Sequence, residues 1–189
     1  MIFRRDPLAN PQALIRRVGS YVAYRIGEGA DAEDVTSEVF ERALRYRESY
    51  DPSRGEPVAW LIGIARRCID DMLRTRPTVT ADVPDVADPA DLEAQTIRRL
   101  SLAREVARLD VSDRELIALR FGADLTARQI GELLGMTKSA VDVALHRALA
   151  RLRARLGEQA KSGSAESIPT VGDEVGQPTR VPRQPDNWL

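Results

Sequence analysis

Apolar residues recur every three or four positions along most of this chain, which is the spacing of one face of an α-helix. Asn10 can cap a helix that has Pro11 at its first position, and Leu14, Val18, Tyr21 and Val22 then share a face before Gly27 and Gly29 stop the run. Asp31 can cap a second helix. Glu33 and Asp34 fall in its first turn, where the helix dipole favours carboxylates, and Val35, Val39, Phe40 and Ala43 make its apolar stripe. The stretch YRESYDPSRGEP, residues 46–57, breaks the period with Asp-Pro, Ser, Gly and Pro and reads as a loop. Pro57 can open a third helix reaching about Arg74, with Trp60, Leu61, Ile64, Cys68 and Leu73 on its apolar face.

The pattern lapses from Pro77 to about Glu93. Asp82, Asp85, Asp88, Asp91 and Glu93 accompany three prolines with no basic residue, as in a flexible acidic linker. Periodicity returns over 94–109. Ser112 with Glu115 has the spacing of a capping box for a helix ending near Phe121-Gly122, and Thr126 with Gln129 repeats it. Ile130, Leu133 and Leu134 face inward, Gly135 supplies the left-handed residue of a turn, and Thr137 can cap a helix running from Lys138 into the 150s. Val141 and Leu145 face back to the preceding helix, and Gly131, a poor helix former, fits a close crossing of the two. Helix, short glycine turn and second helix have helix-turn-helix spacing. Beyond 159 the chain loses its period and reads as a disordered tail.

The expectation is an all-α fold of two small helical domains, 8–76 and 94–158, joined by the acidic linker 77–93 and followed by the tail 159–189. The 189 residues carry a formal charge of −1, so attraction to nucleic acid must come from local patches rather than from the whole chain. One such patch lies between 138 and 155, with five Lys or Arg residues and one acid. A single Cys68 and a single His146 leave no disulfide framework, no Cys-rich or His-based metal site and no triad, and the sequence calls for no cofactor. No run approaches a transmembrane length and no signal-peptide core precedes the first helix, so the chain reads as cytoplasmic.

In a helix-turn-helix the N-terminal part of the second helix enters the major groove. Thr137, Lys138, Ser139, Asp142, His146 and Arg147 are candidates for base or phosphate contacts there, with Arg151 and the arginines beyond it on the backbone. The alternative is two packed helices with a solvated basic face. His146 reads as a surface residue or a phosphate contact rather than a metal ligand, and Cys68 as buried rather than reactive.

The segments DAEDVTSEVFERAL (31–44), YDPSRGEPVAWLIGIARRCIDDMLR (50–74) and the hairpin 126–156 together resemble bacterial RNA polymerase sigma factors of the extracytoplasmic-function (ECF) group, in that family's order and spacing. The resemblance covers about residues 8–157. It implies core RNA polymerase as partner, engaged at the β′ clamp helices and the β flap, together with promoter DNA and an anti-sigma factor. It further implies that Asp34, Glu38 and Arg42 contact polymerase, although a solvated helix face carries the same charges. Tyr50, Ser53, Arg54, Arg66, Arg67 and Arg74 would recognise and melt the −10 element, and the hairpin would read the −35 element. Trp60 matches a family tryptophan, but its place on the apolar face favours core packing. Asp70 matches too, as a partner for a nearby arginine. The chain departs from the family at Arg67, where asparagine is usual, at Ser37, where glutamine is common, and at Asp142 and Ala144, where basic residues are common. Asp142 either reads a cytosine amine or weakens −35 binding. In this reading the chain directs promoter recognition, strand opening and initiation and catalyses nothing itself. The rival is a stand-alone helix-turn-helix regulator whose N-terminal half senses a ligand or dimerises; a helical enzyme is a distant third.

Overall fold

The computed structural model describes the backbone of residues 6–75 and 94–165 and the side chains of 6–75 and 101–158. The expected acidic linker 77–93 and the end of the tail, 166–189, lie outside the described residues. Seven α-helices run in order among those described: α1 (Pro11–Ile26), α2 (Ala30–Arg45), α3 (Pro57–Thr75), α4 (Ala94–Ala107), α5 (Val111–Ile117), α6 (Ala127–Leu134) and α7 (Lys138–Ala165). Two 3₁₀ turns, Arg47–Ser49 and Pro52–Arg54, shape the loop before α3, and a single π turn, Ala118–Gly122, continues α5.

Local chemistry explains most helix ends. The Asn10 side chain accepts from the Ala13 amide and Pro11 opens α1. At α2 the cap is Gly29, at φ +128°, and Asp31 sits one step inside the first turn. The carboxylate expected to cap α2 therefore makes no cap bond and lies where the helix dipole favours it. Asp110, not Ser112, caps α5 by accepting from the Asp113 amide at 2.8 Å. The Ser112–Glu115 box does not form, because Asp110 competes for the same amides and Glu115 is turned inward. The box at Thr126 and Gln129 does form, and Gly135 ends α6 in the left-handed region at φ +70°. The Thr137 hydroxyl accepts from the Ala140 amide at 3.2 Å and starts α7. That helix continues to Ala165, so residues 159–165 are helical rather than part of a disordered tail.

The predicted faces of α1 and α2 pack as expected, with Leu14, Val18, Tyr21 and Val22 buried against Val35, Val39 and Ala43. The face of α3 is rotated from the expected one. Val58, Leu61, Ile62, Ala65, Cys68 and Ile69 are buried, Trp60 and Ile64 are half-buried, and Leu73 is 53% exposed. Each large side chain taken fully out of water contributes roughly 1.5–3 kcal/mol. The two halves do not form separate cores. One apolar cluster runs from α1, α2 and α3 through Leu116, Leu119 and Leu125 to Ile130 and Val141 of the hairpin. A smaller cluster, Val106, Leu109, Ile117, Ala148 and Leu152, holds α4 and α5 against α7.

Candidate nucleic-acid interface

Burial of Val141, Leu145, Ala148 and Leu152 turns the opposite stripe of α7 to solvent. Thr137, Lys138, Ser139, Asp142, His146 and Arg147 are all exposed on it or at its start. Lys138 Nζ donates to Asp142 Oδ2 at 2.8 Å, so the departure at Asp142 is compensated within the helix. Ala144, the other departure, is half-buried against the core and lies off this stripe. Arg151 differs from the arginines around it. It makes a two-pronged ion pair with the buried Asp113, Nη2 to Oδ1 at 2.7 Å, and that bond holds its guanidinium pKa above the ordinary value. Arg151 thus ties α7 to α5 through Asp113 while remaining exposed, and Arg153 is exposed beside it on α7.

Gly131 has a different reason from the one expected. A Cβ there would lie 2.5 Å from the Met136 carbonyl oxygen, so the returning turn, not a helix crossing, demands the missing side chain. The Met136 amide bonds back to the Gly131 carbonyl at 2.9 Å.

In the N-terminal half, Ser53, Arg54, Arg67 and Arg74 are exposed. Tyr50 is not: it is 6% exposed, its hydroxyl donates to the Gly55 carbonyl at 2.9 Å, and its ring lies 5.5 Å from that of Trp60. Burial, with Glu56 and Asp51 nearby, raises its phenol pKa. Tyr50 therefore supports the loop from beneath, with its hydroxyl engaged by the Gly55 carbonyl. Asp51 holds the loop tip by accepting from the Ser53 amide and hydroxyl at 2.9 and 2.7 Å. Arg54 and Gly55 line a cleft of about 350 Å³ with Trp60 and Arg67, closed on its far side by Gln129, Glu132 and Leu133 of α6.

Two expected partners are exchanged on α3. The carboxylate that binds arginines is Asp71, which pairs with Arg42 at 3.2 Å and with Arg74; Asp70 offers Arg74 only its backbone carbonyl. Arg42 also bonds Glu38 and so ties α2 to α3, leaving Asp34 the exposed acid of that trio. Arg66 is held by Glu115 at 3.2 Å. Glu115 also accepts from the Tyr21 hydroxyl at 3.0 Å and pairs with Arg25. Sequence reasoning placed Glu115 in a local cap. Only its position on the buried side of α5, between Asp113 and Leu116, hinted at a tertiary role.

Among the described residues there is no cluster of His, Cys, Asp and Glu suited to a metal ion, and no helix long and apolar enough to cross a membrane. Burial raises the pKa of the single thiol, Cys68.

Fold and site together define a two-part helical protein with a capped helix-turn-helix at one end and a polar loop over a basic helix at the other. Residues 12–77 match the family model "Sigma-70 region 2" and residues 106–154 match "Sigma-70, region 4". The chain is 29% identical over 149 residues to the ECF RNA polymerase sigma factor BldN of Streptomyces coelicolor, covering 75% of this chain and 56% of that protein. It is 32% identical over 130 residues to the ECF RNA polymerase sigma factor RpoE of Cereibacter sphaeroides, covering 65% of this chain and 68% of the relative. The fold matches the sigma factor RpoE of Bartonella quintana, solved in complex with the anti-sigma factor NepR, at a TM-score of 0.63 and 18% identity over 77% of this chain and 93% of that one. The chain belongs to the sigma-70 family of bacterial RNA polymerase sigma factors, in its ECF group. Members of that group direct promoter recognition and the initiation of transcription.

Proposed function

We propose that this chain binds core RNA polymerase, reads a −35 element with the start of α7 and a −10 element with the loop 46–57 and α3, and so selects where transcription begins. The observation that carries the reading is the pairing, in one chain, of a region 2 unit with a region 4 hairpin whose capped second helix exposes Lys138, Ser139, Asp142, His146 and Arg147 on one stripe. Thr137 fixes the start of that helix and its hydroxyl and backbone lie at the groove-entering end. Arg147 and Arg153 take the phosphate contacts that Arg151, bound to Asp113, does not. Pairing with Asp142 orients Lys138 and lowers its net pull on phosphate, so sequence discrimination rests more on side-chain geometry than on charge.

In the N-terminal unit, Ser53, Arg54 and the loop backbone meet the unstacked −10 base, and Arg66, Arg67 and Arg74 hold the phosphates of the opened strand. Tyr50 supports that loop through Gly55. Asp34 and Glu38 meet the β′ clamp helices of the polymerase, with Arg42 positioning Glu38, and the C-terminal unit meets the β flap. The polymerase supplies the chemistry and the chain supplies none. It acts in the cytoplasm, where polymerase and promoters are, and an anti-sigma factor restrains it, as NepR partners the Bartonella sigma factor. Co-purification of the full chain with core polymerase, followed by mapping of transcription starts, tests this reading. Tight sequence-specific binding to duplex DNA by the free chain, with no association with polymerase, would instead make it a stand-alone regulator.

A further inference from the structure

Packing fixes which way each residue of α7 points. Successive residues turn by about 100° around a helix axis. Val141, Leu145, Ala148 and Leu152 are buried and define one side. Val143 lies about 170° from the mean direction of those four, so its side chain points directly away from the protein. It is 51% exposed and is the only large apolar side chain among the exposed described residues of α7 from 138 to 158. Ser139 and Arg147, one turn before and one turn after, lie about 40° to either side of it. Asp142, bound to Lys138 at 2.8 Å, flanks the same face. Ala140, exposed beside Val143, is too small to hold the helix off a surface.

Nothing within the protein calls for valine at this position. It belongs to neither apolar cluster, and a β-branched residue is a poorer helix former than the alanines around it. Val143 is the sixth residue of α7 and so falls in the part of a second helix that enters the major groove. From the centre of the exposed face it meets the groove floor rather than the phosphates along the walls. Its side chain has no donor and no acceptor. Against it the amines, ring nitrogens and keto oxygens of base edges would lose water without gaining a bond. The thymine C5 methyl is the base-edge group that an apolar side chain recognises.

Resting on the sigma-factor reading, we infer that Val143 is a specificity-determining residue of the −35 contact, packing against the C5 methyl of one thymine in that element. Apolar burial alone makes the contact, so it separates thymine from cytosine, which lacks the methyl. It complements the charged residues around it. Lys138 and Arg147 carry charge that attracts any duplex, whereas the Val143 contact is worth nothing until the right base lies beneath it.

Run-off transcription by the full chain with core polymerase, below saturation and on the promoter it uses, tests this contact. Each thymine of the −35 element, on either strand, is replaced in turn by deoxyuridine, which pairs as thymine does and lacks only the methyl group. One replacement should lower output from the parent chain roughly 4-fold, the worth of about one buried methyl group. Val143→Ala should lose at least that factor on the thymine promoter and lose nothing more on the deoxyuridine one. The side chain faces solvent, so the substitution leaves the core untouched, and unchanged circular dichroism and thermal unfolding verify this. A −35 element in which no methyl matters, or one without thymine on either strand, overturns the contact. So does a Val143→Ala chain that still responds to the methyl; if it has also lost output, Val143 faces a protein surface instead. No defined start even on unsubstituted DNA removes the sigma-factor reading, and this contact with it.

Discussion

Gly131→Ala is the perturbation that most sharply tests the geometry of the DNA-reading hairpin. By helix propensity alone it should stabilise α6 by about 1 kcal/mol, since alanine is the better helix former. Against this, the new Cβ would sit 2.5 Å from the Met136 carbonyl oxygen and 3.5 Å from its carbon, and the first of these is closer than side chains tolerate. The obstacle is backbone, so the turn itself must move by about an ångström. That movement puts the Met136 amide bond to Gly131 at risk, a net loss of roughly 0.5–1.5 kcal/mol, on top of roughly 1–3 kcal/mol for overpacking. The sum predicts a net destabilisation of roughly 0.5–3.5 kcal/mol. Because Met136 precedes the capping Thr137, the start of α7 should tilt and output from a −35-dependent promoter should fall. Gly63→Ala is the control: it lies within α3 with nothing near its Cβ position, and should stabilise by up to about 1 kcal/mol. Thermal unfolding and run-off transcription of the two variants check the argument. A Gly131→Ala protein as stable as the parent, with full −35-dependent output, would refute it.

Three further outcomes follow from particular contacts. Tyr50→Phe keeps the ring against Trp60 but frees the Gly55 carbonyl, so urea unfolding should show a loss of roughly 0.5–1.5 kcal/mol and promoter opening should slow while −35 binding holds. Leu119→Ala, fully buried in the shared cluster, should cost roughly 2–5 kcal/mol in the same assay. Burial, partly countered by Arg25 and Arg66, pushes the Tyr21 phenol from 10.0 to about 12. The folded state thus favours the protonated phenol, and the resulting stability is complete below pH 10 and lost as pH rises towards 12. Between pH 9 and 11.5 the loss should be roughly 2 kcal/mol, and smaller in Tyr21→Phe, as followed by unfolding at those two pH values.

Signals carried by neighbouring residues were legible in the sequence. The Asn10-Pro11 start, the Thr126–Gln129 box, the left-handed Gly135 and the Thr137 cap each depend on groups within three residues, and each formed. The faces of α1 and α2 were legible for the same reason. Misreadings arose where distant segments decide. Asp110 outcompeted Ser112 because the pull of Tyr21, Arg25 and Arg66 turned Glu115 inward, and nothing local records that pull. Leu73 and Ile69 both satisfy a helical period, and only packing against α2 chose between them. Tyr50 looked available because its loop is polar, yet the Gly55 carbonyl and the Trp60 ring draw it inward. Arg151 matched its neighbours in composition, and only the fold brought Asp113, 38 residues away, to meet it.

Run-off transcription with purified core polymerase tests the central claim most directly. With a promoter taken from mapped start sites, the full chain should direct initiation at one defined start that core polymerase alone does not use. Arg147→Ala should lower that output by roughly 5- to 150-fold, the span of a lost contact worth roughly 1–3 kcal/mol. No defined start above that of core polymerase alone would contradict the account.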